Sequence, residues 1–220
     1  MYNTPMSKTR LPRSFYDQDT VTVARQLLGK RLVRLENGKR PNEVVRLSGI
    51  ITEAEAYCGE TDLGCHAKAG RTKRTTPMYG PPGFSYVYFT YGMHWMFCAV
   101  TRPEGEPEAV LVRAILPVEG IEVIAKRRCK QPRKHWTDGP GKLTQALGIN
   151  GEHNERDLTT PDAQVFIEEG PDVPDDWVFT GPRIGLYTVP EPWKSIPWRF
   201  LVKDEVLDEL AALAGVSKVQ

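Results

Sequence analysis

Glu53, Glu55 and Tyr57 alternate in the segment Thr52-Glu-Ala-Glu-Ala-Tyr57. On an extended strand alternate side chains share a face, so two carboxylates and a ring point the same way. Arg113 sits inside the otherwise apolar run Val110-Leu-Val-Arg-Ala-Ile-Leu116. A charge there demands a carboxylate partner, because burying it alone is very costly. Glu53 and Glu55 are the nearest carboxylates on a site-facing strand. Such a pair does one of two things. It orders a core, or it holds a carboxylate ionised so that it takes a proton from water.

The second group is aromatic: Tyr57, His66, Tyr86 and Tyr88. Rings on a strand often belong to a core. Converging on a cleft beside Glu55, they make a stacking slot for a planar, preferably cationic ligand. In Tyr86-Val-Tyr-Phe-Thr-Tyr-Gly-Met93, Tyr86 and Tyr88 share one face and Tyr91 projects at a hairpin tip. An aromatic at a tip has the shape of a wedge between stacked bases. The third group is basic and glycine-rich. Gly70-Arg71-Thr-Lys-Arg74 and Gly139-Pro-Gly-Lys142 suit phosphate, the second because free N–H groups open a helix there. Wedge, slot, phosphate track and water-activating carboxylate together imply an enzyme that takes a base out of a duplex and hydrolyses its bond to sugar.

These groups need elements to hold them. Asp17–Gly29 reads as a helix with an apolar stripe of Val21, Ala24, Leu27 and Leu28. Strands are expected at 30–35 and 44–57, the latter with Ile51, Glu53, Glu55 and Tyr57 on one face. Residues 58–83 read as loop. A hairpin follows, 84–91 to 94–101, and a loop at 92–94 would set Tyr88 opposite Cys98. Further strands are expected at 108–116, 164–168 and 183–187. Helices are expected at about 119–130, opened by Pro117, after Gly141, and at about 204–213. Strands in the middle and helices at the flanks predict an α+β fold. The expected form is a single compact domain with a curved antiparallel sheet, flanking helices and a protruding β-hairpin.

The net charge of +1 hides an asymmetry. Residues 1–100 hold 14 Lys/Arg against 8 Asp/Glu, 101–150 hold 9 against 6, and 151–220 hold 6 against 14. A polyanion would meet the first two thirds of the chain. No apolar run is long enough to span a bilayer, and residues 1–10 lack a signal-peptide core, so they read as a disordered lead-in. The four cysteines, at 58, 65, 98 and 129, form no C-x-x-C pair. Cys58, Cys65 and His66 lack a fourth ligand, so no metal is expected, and reduced thiols suit an intracellular protein.

The chain resembles the alkyladenine (3-methyladenine) DNA glycosylase family of the non-helix-hairpin-helix type. The resemblance is carried by Thr52–Tyr57, His66, Gly70–Thr75, Tyr86–Met93, Val110–Arg113, Gly139–Leu143 and Arg183-Ile-Gly185, and runs from Leu11 to about Val202. It implies a glycosylase domain over 11–203, with a C-terminal helical tail at 204–220. It implies that Glu55 is the general base, and that Arg113 and the backbone carbonyl of Ile184 help hold the nucleophilic water. Tyr57, His66 and Tyr88 become the walls around a flipped base and Tyr91 the residue filling the vacated stack, while Arg71, Arg74 and Lys142 are expected to meet phosphates on the strength of their basic, glycine-rich setting. The implied partner is double-stranded DNA with damaged purines, met by a monomer in the cytoplasm or nucleoid without cofactor. The family usually carries an asparagine where this chain has Cys98, which predicts a shifted lesion range. Two rival readings are a sugar hydrolase using the Glu53/Glu55 pair and a non-catalytic DNA-lesion binder. The basic patches disfavour the first, and an intact Glu55–Arg113 pair the second.

Overall fold

The computed structural model describes residues 9–38 and 40–216. The parts of the expected lead-in and tail at 1–8 and 217–220 lie outside the described residues. Thr9 and Arg10 already pair with the body: the Glu169 N–H donates to the Thr9 carbonyl at 2.9 Å, and the Arg10 guanidinium lies 3.7 Å over the Phe166 ring.

Helix α1 (Arg13–Tyr16) precedes α2 (Thr20–Gln26). The Asp19 carboxylate caps α2 by accepting from the Thr22 N–H at 2.8 Å. Val23 and Ala24 of α2 and Leu27 and Leu28 just after it are buried, each large side chain contributing about 1.5–3 kcal/mol. Gly29 ends the turn at φ +84°, where a Cβ would lie 2.1 Å from the Pro171 carbonyl oxygen.

Eight strands follow: β1 (Arg31–Asn37), β2 (Val44–Cys58), β3 (Ser85–Thr90), β4 (His94–Thr101), β5 (Glu108–Glu119), β6 (Val165–Glu168), β7 (Val178–Gly181) and β8 (Arg199–Val202). All pairs between them are antiparallel. The sheet order is β3-β4-β5-β2-β1-β6, with β8 also pairing β2 and carrying β7. The remaining helices are α3 (Ile121–Arg127), α4 (Pro140–Leu147) and α5 (Leu207–Leu213).

Alternation sorts the sheet into two faces. Ala54, Ala56, Val87, Phe97, Ala99, Val110 and Val112 join Leu27, Leu143 and Leu210 from the helices in the main core. Tyr86, Cys98, Val100, Ala109 and Leu111 face the other way, against Cys65, Ala67 and Met78 of the 58–83 loop. That loop contains two 3₁₀ turns, His66–Ala69 and Thr76–Tyr79. The fold is α+β, with helices behind the sheet and loops over its front. Among the described residues no helix is long and apolar enough to cross a membrane.

Four expectations change. A bulge at Thr52 shifts the β2–β5 register between Ile51 and Glu53. Ile50 and Ile51 therefore both enter the main core, and Ile51 leaves the face of Glu53, Glu55 and Tyr57. Pro117 opens no helix: it lies within β5, opposite Gly49 at a second register shift, where its missing N–H is tolerated. Tyr91 takes φ +52° and Gly92 +69°, which ends the hairpin at Thr90↔His94. Tyr88 therefore faces Met96, and Tyr86 faces Cys98. The slip of two residues leaves every side chain on its expected face. Residues 183–187 form a turn, not a strand, because this backbone is drawn to side chains of the site rather than to a ladder.

Candidate active site

Glu55 lies on β2, fully buried, one layer beneath the wall of a cavity. Three donors converge on its carboxylate. The Ile184 N–H reaches Oε1 at 2.7 Å and the Tyr57 hydroxyl reaches Oε2 at 2.8 Å. Arg113 on β5 spans both oxygens at the longer distance of 3.3 Å. Burial pushes the Glu55 carboxyl above the usual glutamate range, and Arg113, the Ile184 amide and the Tyr57 phenol pull it back. The Arg113 guanidinium loses from burial but is held above its ordinary value by Glu55 and Glu53.

Glu53 also accepts from Arg113 (3.1 Å) and from Arg199 on β8 (2.9 Å). The cluster thus balances two carboxylates with two guanidiniums. Glu53 opens on a separate groove with Thr52, Ala114, Thr137 and Asp138. It is a partner for both arginines, and its groove is separate from the cavity that Arg113 and Tyr57 line.

The cavity holds about 300 Å³, the small end of ligand pockets. Its walls bring together Tyr57, His66, Tyr86, Tyr88, Cys98, Arg113 and Ile184. Tyr86 and Tyr88 stack with centroids 5.0 Å apart, and His66 meets Tyr88 edge-on at 4.7 Å. His66 Nδ1 lies 3.1 Å from the Tyr86 hydroxyl. Burial, helped by Arg74 and Lys68, lowers His66 to about 4, so the imidazole is neutral at neutral pH. Burial also keeps the Tyr57, Tyr86 and Tyr88 phenols and the Cys98 thiol protonated. The slot is therefore a set of neutral rings beside one carboxylate.

Tyr91 borders the cavity and is 79% exposed at the β3–β4 tip. Met93 beside it is 67% exposed. Its signal in the sequence is an apolar residue at a hairpin tip. Arg71 and Arg74 flank the aromatic wall, each guanidinium 5.3 Å from a ring centroid, of Tyr79 and Tyr88 respectively. Lys142, in the first turn of α4, pairs with Asp138 at 2.8 Å. The Cys58, Cys65 and His66 set does not converge; no metal-binding group of His, Cys, Asp or Glu occurs among the described residues.

Arg183 also has a partner that the sequence does not announce, Asp62. Arg183 and Asp62 form a fully buried ion pair at 2.5 and 2.8 Å. Asp62 also accepts from the N–H groups of Cys58 (3.1 Å) and Gly64 (2.8 Å). Arg183 donates to the Ala56 carbonyl (3.0 Å) and lies 4.7 Å over the Tyr57 ring. The pair ties the loop that carries His66 to the turn that carries Ile184, with Tyr57 between them.

The family model for methylpurine-DNA glycosylase matches residues 14–206, a span that contains the whole cavity. The chain belongs to the methylpurine-DNA glycosylase family. It is 45% identical over 194 residues to a Myxococcus xanthus protein named "Putative 3-methyladenine DNA glycosylase", covering 88% of this chain and 90% of that one. Proteins of the same name from Clostridium acetobutylicum (43% over 203 residues; 88% and 94% covered) and Legionella pneumophila (41% over 195; 89% and 95%) are similar throughout. The enzyme is a hydrolase of N-glycosyl bonds that acts on DNA in base excision repair.

Proposed function

We propose that this glycosylase extrudes a damaged purine from duplex DNA, grips it between Tyr57, His66 and Tyr88, and hydrolyses its glycosidic bond with water activated by Glu55. The supporting observation is the three-donor clamp on Glu55 directly behind a slot of neutral rings. Three hydrogen bonds hold the carboxylate, and Arg113 Nε adds a charge contact while donating its own hydrogen to Glu53. The 3.3 Å Arg113 contacts are the weakest, so the attacking water enters there, between Arg113 and Glu55. The Ile184 N–H orients the base, and the Ile184 carbonyl is the third contact we assign to that water.

Ring alkylation makes a purine cationic, which weakens its bond to sugar and suits the quadrupoles of the rings. An ionised Glu55 then stabilises the oxocarbenium-like transition state. Alkylated purines, hypoxanthine and ethenoadenine are the proposed lesions, and the enzyme acts as a monomer on the nucleoid. Tyr91 fills the vacated stack, and Arg71, Arg74 and Lys142 meet the phosphates.

Three outcomes follow. Glu55 must be ionised to act, and burial raises its pKa, so activity rises with pH through a value above 4.5. Single-turnover release of 7-methylguanine, whose positive charge needs no added proton, reads this limb. A rate that stays flat to below that value contradicts the base assignment. Tyr91→Ala weakens binding to lesion-bearing duplex by about tenfold with the pocket intact, seen by titration against a labelled duplex; undiminished affinity removes the wedge. Cys98 lines the cavity with a neutral thiol, a poor donor and acceptor. Cys98→Asn adds an amide there and changes the ratio of guanine-lesion to adenine-lesion excision by about tenfold. An unchanged ratio removes Cys98 from purine discrimination.

A further inference from the structure

The cavity mouth carries two sets of exposed apolar side chains. One is the hairpin tip with Tyr91 and Met93. The other lies on the turn 184–187, where Ile184 is 42% and Tyr187 76% exposed. Ile184, Gly185 and Leu186 line the same cavity as Thr90 and Tyr91, so Tyr187 stands at the edge of the site.

The turn is anchored firmly. Arg183 is locked to buried Asp62, the Ile184 N–H is held by Glu55, and the Val189 N–H returns to the Leu186 carbonyl at 3.1 Å. Leu186 packs so closely on Gly64 that a Cβ there would sit 2.6 Å from its Cδ1. Tyr187 itself contributes little to the core, being three-quarters exposed. A large ring presented to solvent by a rigid turn loses little conformational entropy on contact, which is the property of a binding residue.

We propose that Tyr187 is a further DNA-contacting residue, the second aromatic one at the cavity mouth, packing against the sugar and base of a nucleotide next to the extruded one. This rests on the reading that an extruded nucleotide occupies the cavity. Such a nucleotide stays joined to its neighbours at both ends, so the strand must leave over the mouth. The hairpin residue fills the gap in the duplex. The turn, continuous with the cavity wall, meets the strand as it departs. The contact is apolar and neutral, unlike those of Arg71, Arg74 and Lys142, and that difference is measurable. Breaking a phosphate contact lowers the salt dependence of binding, whereas breaking a ring contact leaves it unchanged.

The test is fluorescence anisotropy with a duplex carrying a central tetrahydrofuran abasic analogue, over a series of salt concentrations. Tyr187→Ala is expected to weaken binding about tenfold at every salt concentration, with the slope of log Kd against log salt unchanged. Tyr187→Trp is expected to restore affinity. Single-turnover base release at saturating enzyme stays within about threefold of the parent, because the residue lies outside the chemistry. Unchanged affinity in Tyr187→Ala overturns the proposal, and leaves the exposed ring to another macromolecule. A reduced salt slope overturns it too, since the change then acts through phosphate contacts. If the parent protein releases no base from any lesion duplex, the failure lies with the function proposed above, whatever Tyr187→Ala does to affinity.

Discussion

Glu55→Gln abolishes base release while damaged duplex still binds. Glutamine keeps the shape of the side chain, and its oxygen still accepts from the Ile184 N–H that now sits 2.7 Å from Oε1. What it lacks is a carboxylate to take a proton from water or to face a developing cation. General-base catalysis is worth about 10²–10⁴ in rate, and the lost electrostatic stabilisation adds to this. Arg113 is not orphaned, because Glu53 still holds it at 3.1 Å, so the fold survives the change. Single-turnover release should fall at least about a hundredfold, with Kd for an abasic-analogue duplex within about threefold of the parent. A variant that keeps its rate removes Glu55 from the chemistry.

Arg183→Ala or Asp62→Ala should cost about 3–5 kcal/mol, because each strands a buried charge. Both side chains of this pair are fully buried, and Asp62 additionally receives two backbone amides. For a domain of this size the loss corresponds to a fall in Tm of roughly 6–20 °C. Replacing both partners by apolar residues of similar volume should cost less than either single change. Thermal denaturation of the two single variants and the double variant reads this directly. A loss below about 1 kcal/mol in both singles would show that the pair is not what joins the two loops.

The parts of the site carried by long strands were legible. Alternation placed Glu55 and Tyr57 on one face and Ala54 and Ala56 on the other, and a charge in an apolar run pointed Arg113 at a carboxylate. What could not be read depended on partners remote in sequence or on single backbone angles. The bulge at Thr52 lies where β2 changes register against β5, next to its pairing with β8. The hairpin register turned on Tyr91 adopting a positive φ, which favours no particular reading of the segment in advance. The Ile184 amide faces Glu55 because a turn, not a strand, runs through 183–187, and periodicity carries no signal for that. Asp62 and Arg183 stand 121 residues apart, with nothing in either neighbourhood to mark the other. Lys142 is engaged by Asp138 at 2.8 Å, a pairing four residues apart that a phosphate contact would have to displace.

The most direct measurement is product analysis after the protein meets duplexes containing a methylated purine, hypoxanthine or ethenoadenine, with borohydride present in a parallel reaction. The account predicts free intact purine and an abasic site in an unbroken strand. It also predicts no trapped protein–DNA adduct, and no release by Glu55→Gln. Release without Glu55, or a covalent adduct captured by borohydride, would contradict attack by a water that this carboxylate activates.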